Sequence, residues 1–165
     1  MTPIPNPRRS GYTVVELLVV VGIIGMMAAA AAPSFVKQIP NRRLDRASWQ
    51  VYMDLQQART LAVSENVSVE VSFNTAQKQY TIWADANGNG TKDTGESEVK
   101  SLSDIAGLEL YVYPTSAVFK PTGTVEPADD YYYFYVQVYV ESGGYKYVYA
   151  FPNGFIDGYR IQEKS

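Results

Sequence analysis

The sequence predicts an α+β protein in which a long N-terminal helix packs on a C-terminal antiparallel β-sheet head. Three observations predict this architecture: an uncharged apolar run near the N-terminus, a helical apolar period that continues to about residue 64, and a change to strand-like alternation at Asn66. The chain has 165 residues, which is enough for one domain with a core of its own.

The composition removes several classes of function. The chain has no cysteine and no histidine, which excludes disulfides, thiolate or imidazole metal sites and Ser-His-Asp catalysis. Its formal net charge is −3, and without residues 1–11, which carry two arginines and no acid, 12 basic residues stand against 17 acidic ones, a net charge of −5. Neither an enzyme nor a general nucleic-acid binder is therefore expected.

The N-terminal region consists of a basic leader and an apolar segment. Arg8 and Arg9 precede an uncharged run from Leu17 to Ala32, which approaches the length of about 20 residues that a membrane-spanning helix needs. Arginines before such a segment favour a cytoplasmic N-terminus and an exported remainder. Three interpretations compete: a secretory signal peptide cut within the run of alanines that begins at Ala28, a single-span anchor, and a leader cut before the apolar segment.

Glu16 favours the third interpretation. A carboxylate at the edge of an apolar helix is costly unless it finds a partner, and neither a signal peptide nor a plain anchor needs one. Cleavage after Gly11 would free an amine on Tyr12, one helical turn from Glu16. In a filament this carboxylate can pair with the amine of a neighbouring subunit, so that each buried charge has a partner.

Residues 8–21 resemble the type IV prepilin motif, commonly Gly-Phe-Thr-Leu-x-Glu before an aliphatic run, with Tyr12 in place of Phe and Val14 in place of Leu. The resemblance implies cleavage after Gly11 by prepilin peptidase, N-methylation of Tyr12 and a role for Glu16 in assembly. We divide the chain accordingly into a leader (1–11), a transmembrane and filament-core helix (12–33), an amphipathic helix (34–65) and an antiparallel β head (66–165).

A single apolar stripe continues the helical period beyond Pro33. The stripe consists of Leu44, Ala47, Val51, Leu55, Ala58 and Ala62. This spacing predicts a helix that packs on its own sheet. Pro33 and Pro40 each lack a backbone donor, so bends or local melting are expected between them.

Strands are predicted from Asn66 onward. The candidates are the segments Val67–Phe73, Tyr80–Trp83, Leu108–Tyr113, Ala117–Lys120, Tyr131–Val140, Tyr145–Phe151 and Tyr159–Gln162. Turns rich in proline and glycine separate them, and successive strands with short turns imply antiparallel pairing. The aromatic run 131–135 is expected to be strand, with one face in the core and the other at a subunit contact.

Several segments between residues 32 and 154 are similar to the GspH/FimT group of minor pilins. They are Ala32–Phe35, Arg43-Leu44, the helix end Leu55–Ala62, the turn Phe119–Thr124 and Gly154. The resemblance implies a pilin fold and a low-copy subunit of a type II secretion pseudopilus or a type IV pilus, often at the initiating tip. It implies other pilin subunits, prepilin peptidase, an inner-membrane assembly platform and membrane lipid as partners, with the head in the periplasm or outside the cell.

A DNA-uptake pilin of the FimT kind is the alternative. Such a protein needs an exposed basic patch on the C-terminal part of its head. After Lys146 the only basic residues are Arg160 and Lys164, and Asp157 and Glu163 lie among them. The sequence therefore argues against nucleic acid as a partner.

Residues 85–96 fit the spacing of a calcium-binding loop, D-x-[DN]-x-[DN]-G-x5-E. The oxygen ligands of Ca²⁺ would come from Asp85, Asn87, Asn89, the Thr91 backbone, Asp93 and Glu96. The segment is also rich in turn formers and is flanked by predicted strands, so a polar hairpin tip without metal is the competing interpretation. Bound calcium would have a structural role, and no other cofactor is expected.

Overall fold

One long helix begins the described part of the chain. The structure, a computed structural model, describes residues 12–93, 95–128, 131–141 and 143–160. Helix α1 spans Val14–Glu65, close to the predicted bounds. Its backbone stays helical through Pro33 and Pro40, so the local melting expected between them does not occur. Each proline removes one donor only, and the neighbouring i→i−4 hydrogen bonds are enough to continue the helix.

The chain divides into two compact units, residues 1–38 and 39–165. In the first unit the described side chains from Tyr12 to Ala31 are all exposed. In the second unit, called the head below, lie all the buried residues of the described chain, from Leu44 to Ile156. The head therefore contains a complete core and is expected to fold without residues 1–38.

Nine strands follow the helix in the described part of the chain. They are β1 (Val69–Asn74), β2 (Gln79–Ala84), β3 (Ser97–Ser101), β4 (Leu108–Tyr113), β5 (Ser116–Phe119), β6 (Val125–Pro127), β7 (Phe134–Val140), β8 (Gly144–Ala150) and β9 (Ile156–Arg160). The first sheet has the order β3-β2-β1-β5-β6 and the second the order β4-β7-β8-β9. All pairings between these strands are antiparallel, as the short turns predict.

The strands differ from the prediction in several places. β3 and β6 have no counterpart in the sequence pattern, because β3 is an edge strand with mostly exposed side chains and β6 is too short to show a period. β7 begins at Phe134 and not at Tyr131, so the first three tyrosines of the aromatic run lie outside the strand. β9 begins at Ile156, earlier than predicted, and residues 161–162 of the predicted strand lie outside the described residues.

The predicted helical stripe forms the centre of the core. All six of its residues are buried, with at most 4% of any one exposed. The inward-facing residues of both sheets belong to the same cluster. Phe73 of β1 and Phe134 of β7 have ring centroids 5.8 Å apart, so the two sheets share one core.

A buried tyrosine connects α1 to β2. Tyr80 is almost fully buried, and its hydroxyl donates to the carboxylate of Asp54 on the helix. Burial, together with this anionic partner, raises the pKa of Tyr80 far above its usual range. Tyr80 therefore remains a neutral donor, and its satisfied hydroxyl makes a phenol acceptable in the core.

Three of the segments that resemble the GspH/FimT group meet at one point of the head. Arg59 of α1 donates from Nε to the carbonyl oxygen of Gly123 at 3.1 Å. A Cβ on Gly154 would lie 1.9 Å from that oxygen and 2.9 Å from Arg59 Nε. Gly123 follows β5 in the first sheet and Gly154 precedes β9 in the second, so this arrangement, called the glycine clamp below, joins α1 to both sheets.

Replacing Gly154 by alanine tests the glycine clamp. We expect Gly154→Ala to lower the free energy of unfolding by about 3 kcal/mol or more, because the added Cβ collides with backbone and φ is +82°. The matched control is Gly144→Ala, where φ is +83° but the space around the Cβ is open. Its loss should stay near the roughly 1–2 kcal/mol of left-handed backbone strain. Urea denaturation of the head provides the measurement, and equal losses for both variants would contradict the clamp.

Candidate functional site

The first candidate site lies at the start of α1. Gly11 and the rest of the leader lie outside the described residues, and Tyr12 and Thr13 precede the first helical residue. Thr13 Oγ1 accepts a hydrogen bond from the backbone N of Glu16 at 3.2 Å, and Leu17 N donates to Thr13 O at 3.2 Å. Thr13 is thus the N-cap of the helix, and Glu16 occupies the third helical position, which gives the Thr-x-x-Glu spacing typical of helix starts.

The cap determines where Glu16 stands. A carboxylate in the first turn of a helix is stabilised by about 0.3–1 kcal/mol through the helix dipole, so Glu16 is favourable there even before a partner arrives. Its side chain is exposed and accessible to a group from another chain. Thr13 was not among the predicted site residues, although the Thr-x-x-Glu spacing is a sequence signal for it.

The segment after the cap is long and apolar enough to cross a membrane. Val14–Ala31 has a mean hydropathy of 2.5, and no part of it is buried within the chain. A helix that is apolar on all sides and uncovered needs lipid or other helices around it.

The second candidate site is the hairpin loop between β2 and β3, so the strand flanks expected for residues 85–96 are present. Asp85 Oδ2 accepts a hydrogen bond from Gly90 N at 3.0 Å across the loop. The side-chain amides of Asn87 and Asn89 donate to Asp93 Oδ2 at 2.7 and 2.8 Å. The loop thus brings these predicted ligand residues together, with two amide nitrogens directed at one carboxylate.

Neutral hydrogen-bond donors and one lysine contact the acidic side chains in and beside the loop. The two asparagine amides hold the pKa of Asp93 below its usual range, because their N–H groups stabilise the ionised carboxylate. Glu96 Oε2 accepts hydrogen bonds from Trp83 Nε1 and Asp93 N, both at 3.3 Å. The ammonium of Lys92 lies 3.5 Å from Glu70 Oε2 and 5.2 Å from the Trp83 ring centre. The amides therefore stabilise the Asp93 carboxylate, and the lysine contacts Glu70 at the side of the loop.

Asp85 provides the observation that bears on calcium. Its Oδ1 is buried and has no hydrogen-bond partner among the described residues, which is costly for a carboxylate oxygen. The donor set of carboxylate and amide oxygens suits a hard cation. No three acidic side chains of the described chain are close enough to hold a metal ion as they stand. Binding would require Asn87 and Asn89 to rotate their amides and present oxygen instead of nitrogen.

A third feature is the outer face of the second sheet, where aromatic rings form a continuous network with centroid separations from 4.6 to 6.5 Å. We call this surface the tyrosine face. Its rings are those of Tyr111, Tyr113, Tyr131, Tyr132, Tyr133, Tyr135, Tyr145, Tyr147, Tyr149, Phe151 and Phe155. The alternation of tyrosine along three strands is its signal in the sequence.

Two solved structures that share this fold are pilin-type subunits. The type IV minor pilin FimU of Pseudomonas aeruginosa matches with a TM-score of 0.59 at 17% identity, over 72% of this chain and 90% of that chain. The minor pseudopilin EpsH of the Vibrio cholerae type 2 secretion system matches with a TM-score of 0.54 at 14% identity, over 71% and 96%. At these identities the likeness establishes the fold, an α+β pilin fold.

Family matches identify the chain more closely. The family described as Type II transport protein GspH matches residues 47–147, and the prokaryotic N-terminal methylation motif matches residues 6–32. The chain therefore belongs to the GspH family and is a minor pilin or pseudopilin. Pilins and pseudopilins are structural subunits and not enzymes.

Two curated relatives match parts of the chain. The pilin-like protein PilA1 of Thermus thermophilus is 34% identical over 90 residues, which is 53% of this chain and 56% of that protein. The type IV major pilin PilA of Myxococcus xanthus is 56% identical over 32 residues, 19% of this chain and 14% of that protein. The chain thus spans little more than half of one relative and a small part of the other, and both are pilins or pilin-like.

Proposed function

We propose that this protein is held in the inner membrane by residues 12–33 and then enters a type II secretion pseudopilus or a type IV pilus through that same segment. The observation that carries the proposal is the start of α1. An ionisable side chain, Glu16, is held in the first turn of a helix that is apolar on every side and uncovered by its own chain. Such a segment is suited to burial among equivalent helices.

Processing prepares the charge pair. Prepilin peptidase cleaves after Gly11 and removes Arg8 and Arg9 with the leader, and the freed amine of Tyr12 is then N-methylated. The amine and the Glu16 carboxylate carry opposite charges, and in apolar surroundings each is costly unless it is paired. The amine of one subunit therefore pairs with the carboxylate of its neighbour as the helix leaves the lipid.

The charge of the leader determines how the protein is oriented in the membrane. The basic leader keeps the N-terminus cytoplasmic, so the head lies in the periplasm or outside the cell. An inner-membrane assembly platform passes the subunit from the lipid to the filament. Membership of the GspH family supports a low-copy position, at the initiating tip.

Glu16→Ala tests the charge pair. We expect cleavage and membrane insertion to continue, because the leader and the apolar helix are unchanged. Entry into the filament should fall by about tenfold or more, since loss of one partner leaves the buried Tyr12 amine unpaired. The control is Glu65→Ala, which removes an exposed acid at the other end of α1. Immunoblots of sheared filaments and membranes give the ratio, and normal incorporation of Glu16→Ala would show that the apolar helix alone directs assembly.

We further propose a structural Ca²⁺ in the loop between β2 and β3. The buried Asp85 Oδ1 without a partner and the oxygen-rich donor set support it. The residues that would hold the ion are Asp85, Asn87, Asn89, Asp93 and Glu96 through their side chains and Thr91 through its backbone carbonyl. The ion would link the two ends of the hairpin loop electrostatically and take part in no reaction.

Thermal melting of the head with Ca²⁺ and with chelator tests this site. We expect the ion to stabilise the head by about 2.7 kcal/mol when its concentration is about a hundred times the Kd. Asp85→Ser should abolish the shift, whereas Glu109→Gln, which removes an exposed acid on β4, should retain it. An unchanged midpoint in the wild-type head would leave the loop as a hairpin tip without metal.

DNA uptake by the head is the alternative function, and the described charges do not favour it. Lys120 and Lys146 are paired with Glu126 and Asp45 at 2.8 and 2.5 Å. In a mobility-shift assay with duplex DNA, we expect the head to form no salt-sensitive complex. Tight binding that weakens with added salt would instead favour the DNA-uptake function.

A further inference from the structure

The strand register aligns tyrosines across the second sheet. Tyr135 of β7 stands opposite Tyr113 of β4 on one side and Tyr149 of β8 on the other, and Tyr139 stands opposite Tyr145. Directly opposed residues project from the same side of a sheet. The alternate residues of these strands face the core, so the other side presents a broad surface of phenol rings.

The remaining outward residues show which ligands this surface disfavours. Tyrosine occupies seven of the nine outward positions of β4, β7 and β8, and Glu109 and Gln137 occupy the other two. Asp157 of β9 adds a second carboxylate opposite Tyr149. Lys146 is on the core side of β8, where it pairs with a helix carboxylate. With two acids and no base at these outward positions, the tyrosine face repels nucleic acid and other polyanions.

The absence of aliphatic side chains from those nine positions bears on a protein partner. Surfaces that are permanently buried in protein assemblies resemble a domain core. A dry protein partner would also have to provide a hydrogen-bond partner for each covered phenol hydroxyl that is not already bonded within the face, as Tyr111 and Tyr135 are to each other. A polysaccharide matches both the rings and the hydroxyls of this surface, since its sugars carry apolar C–H faces for the rings and a rim of hydroxyls for the phenol groups.

Ring geometry along β8 matches an extended polymer. The centroids of Tyr145, Tyr147, Tyr149 and Phe151 follow one another at 5.7, 5.6 and 6.0 Å. Successive sugars of a β-1,4-linked chain repeat at a closely similar distance. Tyr147 and Tyr149 are stacked on each other, which leaves their hydroxyl-bearing edges for a ligand.

We propose that the tyrosine face binds a neutral β-linked polysaccharide that lies along β8. Phenol hydroxyls and the Gln137 amide hydrogen-bond to sugar hydroxyls. The more exposed rings beside β8, Tyr139 at 39% opposite Tyr145 and Phe155 at 58% against Phe151, stack against the C–H faces of the sugars. This activity goes beyond a structural role in a filament and belongs to the head alone.

Co-sedimentation of the full-length protein, in detergent micelles, with microcrystalline cellulose and with chitin tests the proposal. We expect the protein to pellet with at least one of them, to be displaced by soluble oligosaccharide of the same linkage, and to be insensitive to salt. Combined Tyr145→Ser, Tyr147→Ser and Tyr149→Ser should weaken binding by about tenfold or more. Trp49→Ser is the control, because that exposed ring stacks on Tyr52 of α1.

Two conservative single variants test binding in case the triple variant does not fold. Tyr147→Phe and Gln137→Ala keep the sheet intact, and each should weaken binding by about threefold through one lost hydrogen bond. Failure of the wild type to pellet with either polysaccharide would overturn the proposal, as would full binding by these variants and by a folded triple-serine variant. Salt-sensitive binding to DNA or alginate would overturn it too. A dimer in sedimentation velocity that the triple-serine variant abolishes would show that a second copy covers the face.

Discussion

Burial of one helical stripe under two sheets is the contact on which the head depends. Each sheet has an apolar face and an outward face, and an antiparallel sheet of this kind needs a cover on its apolar side only. The second half of α1 covers the apolar sides of both sheets. Its stripe combines large residues such as Leu55 with alanines at 47, 58 and 62, and these residues have almost no exposed surface. The ring contact between Phe73 and Phe134 exists because both sheets close on the same helix.

Directional polar contacts complete what the apolar stripe begins. Apolar packing tolerates rotation of the helix, whereas a hydrogen bond from Tyr80 to Asp54 or from Arg59 to Gly123 does not. Gly154 can join the glycine clamp only because it has no side chain. Three of the segments that resemble one family, although far apart in sequence, therefore meet at a single contact, and a change in any one of them disturbs the other two.

Each candidate functional feature contains groups whose interactions are not completed within the chain. The apolar start of α1 has no cover, and Glu16 carries a charge at its edge. Asp85 Oδ1 is buried without a described partner. The tyrosine face presents rings and hydroxyls on the outward side of a sheet whose inward side contributes to the core. Helices of other subunits, a cation and a polysaccharide would complete them in turn. None of these requires a reaction, in keeping with a family of structural subunits.

Local periodicity made much of this protein readable from its residues alone. The bounds of α1, its buried stripe, most strands and the prepilin-type start are local patterns, and the structure or the family matches confirm them. β3 was not predicted, because an exposed edge strand shows no alternation of apolar and polar residues. β7 was predicted to begin too early, because tyrosine is common both in strands and on surfaces. Only the tertiary structure decided which tyrosines oppose one another, that the loop asparagines direct nitrogen at Asp93, and that Gly154 meets Gly123 and Arg59. Those facts depend on strand register and on contacts between distant segments, which no local pattern encodes.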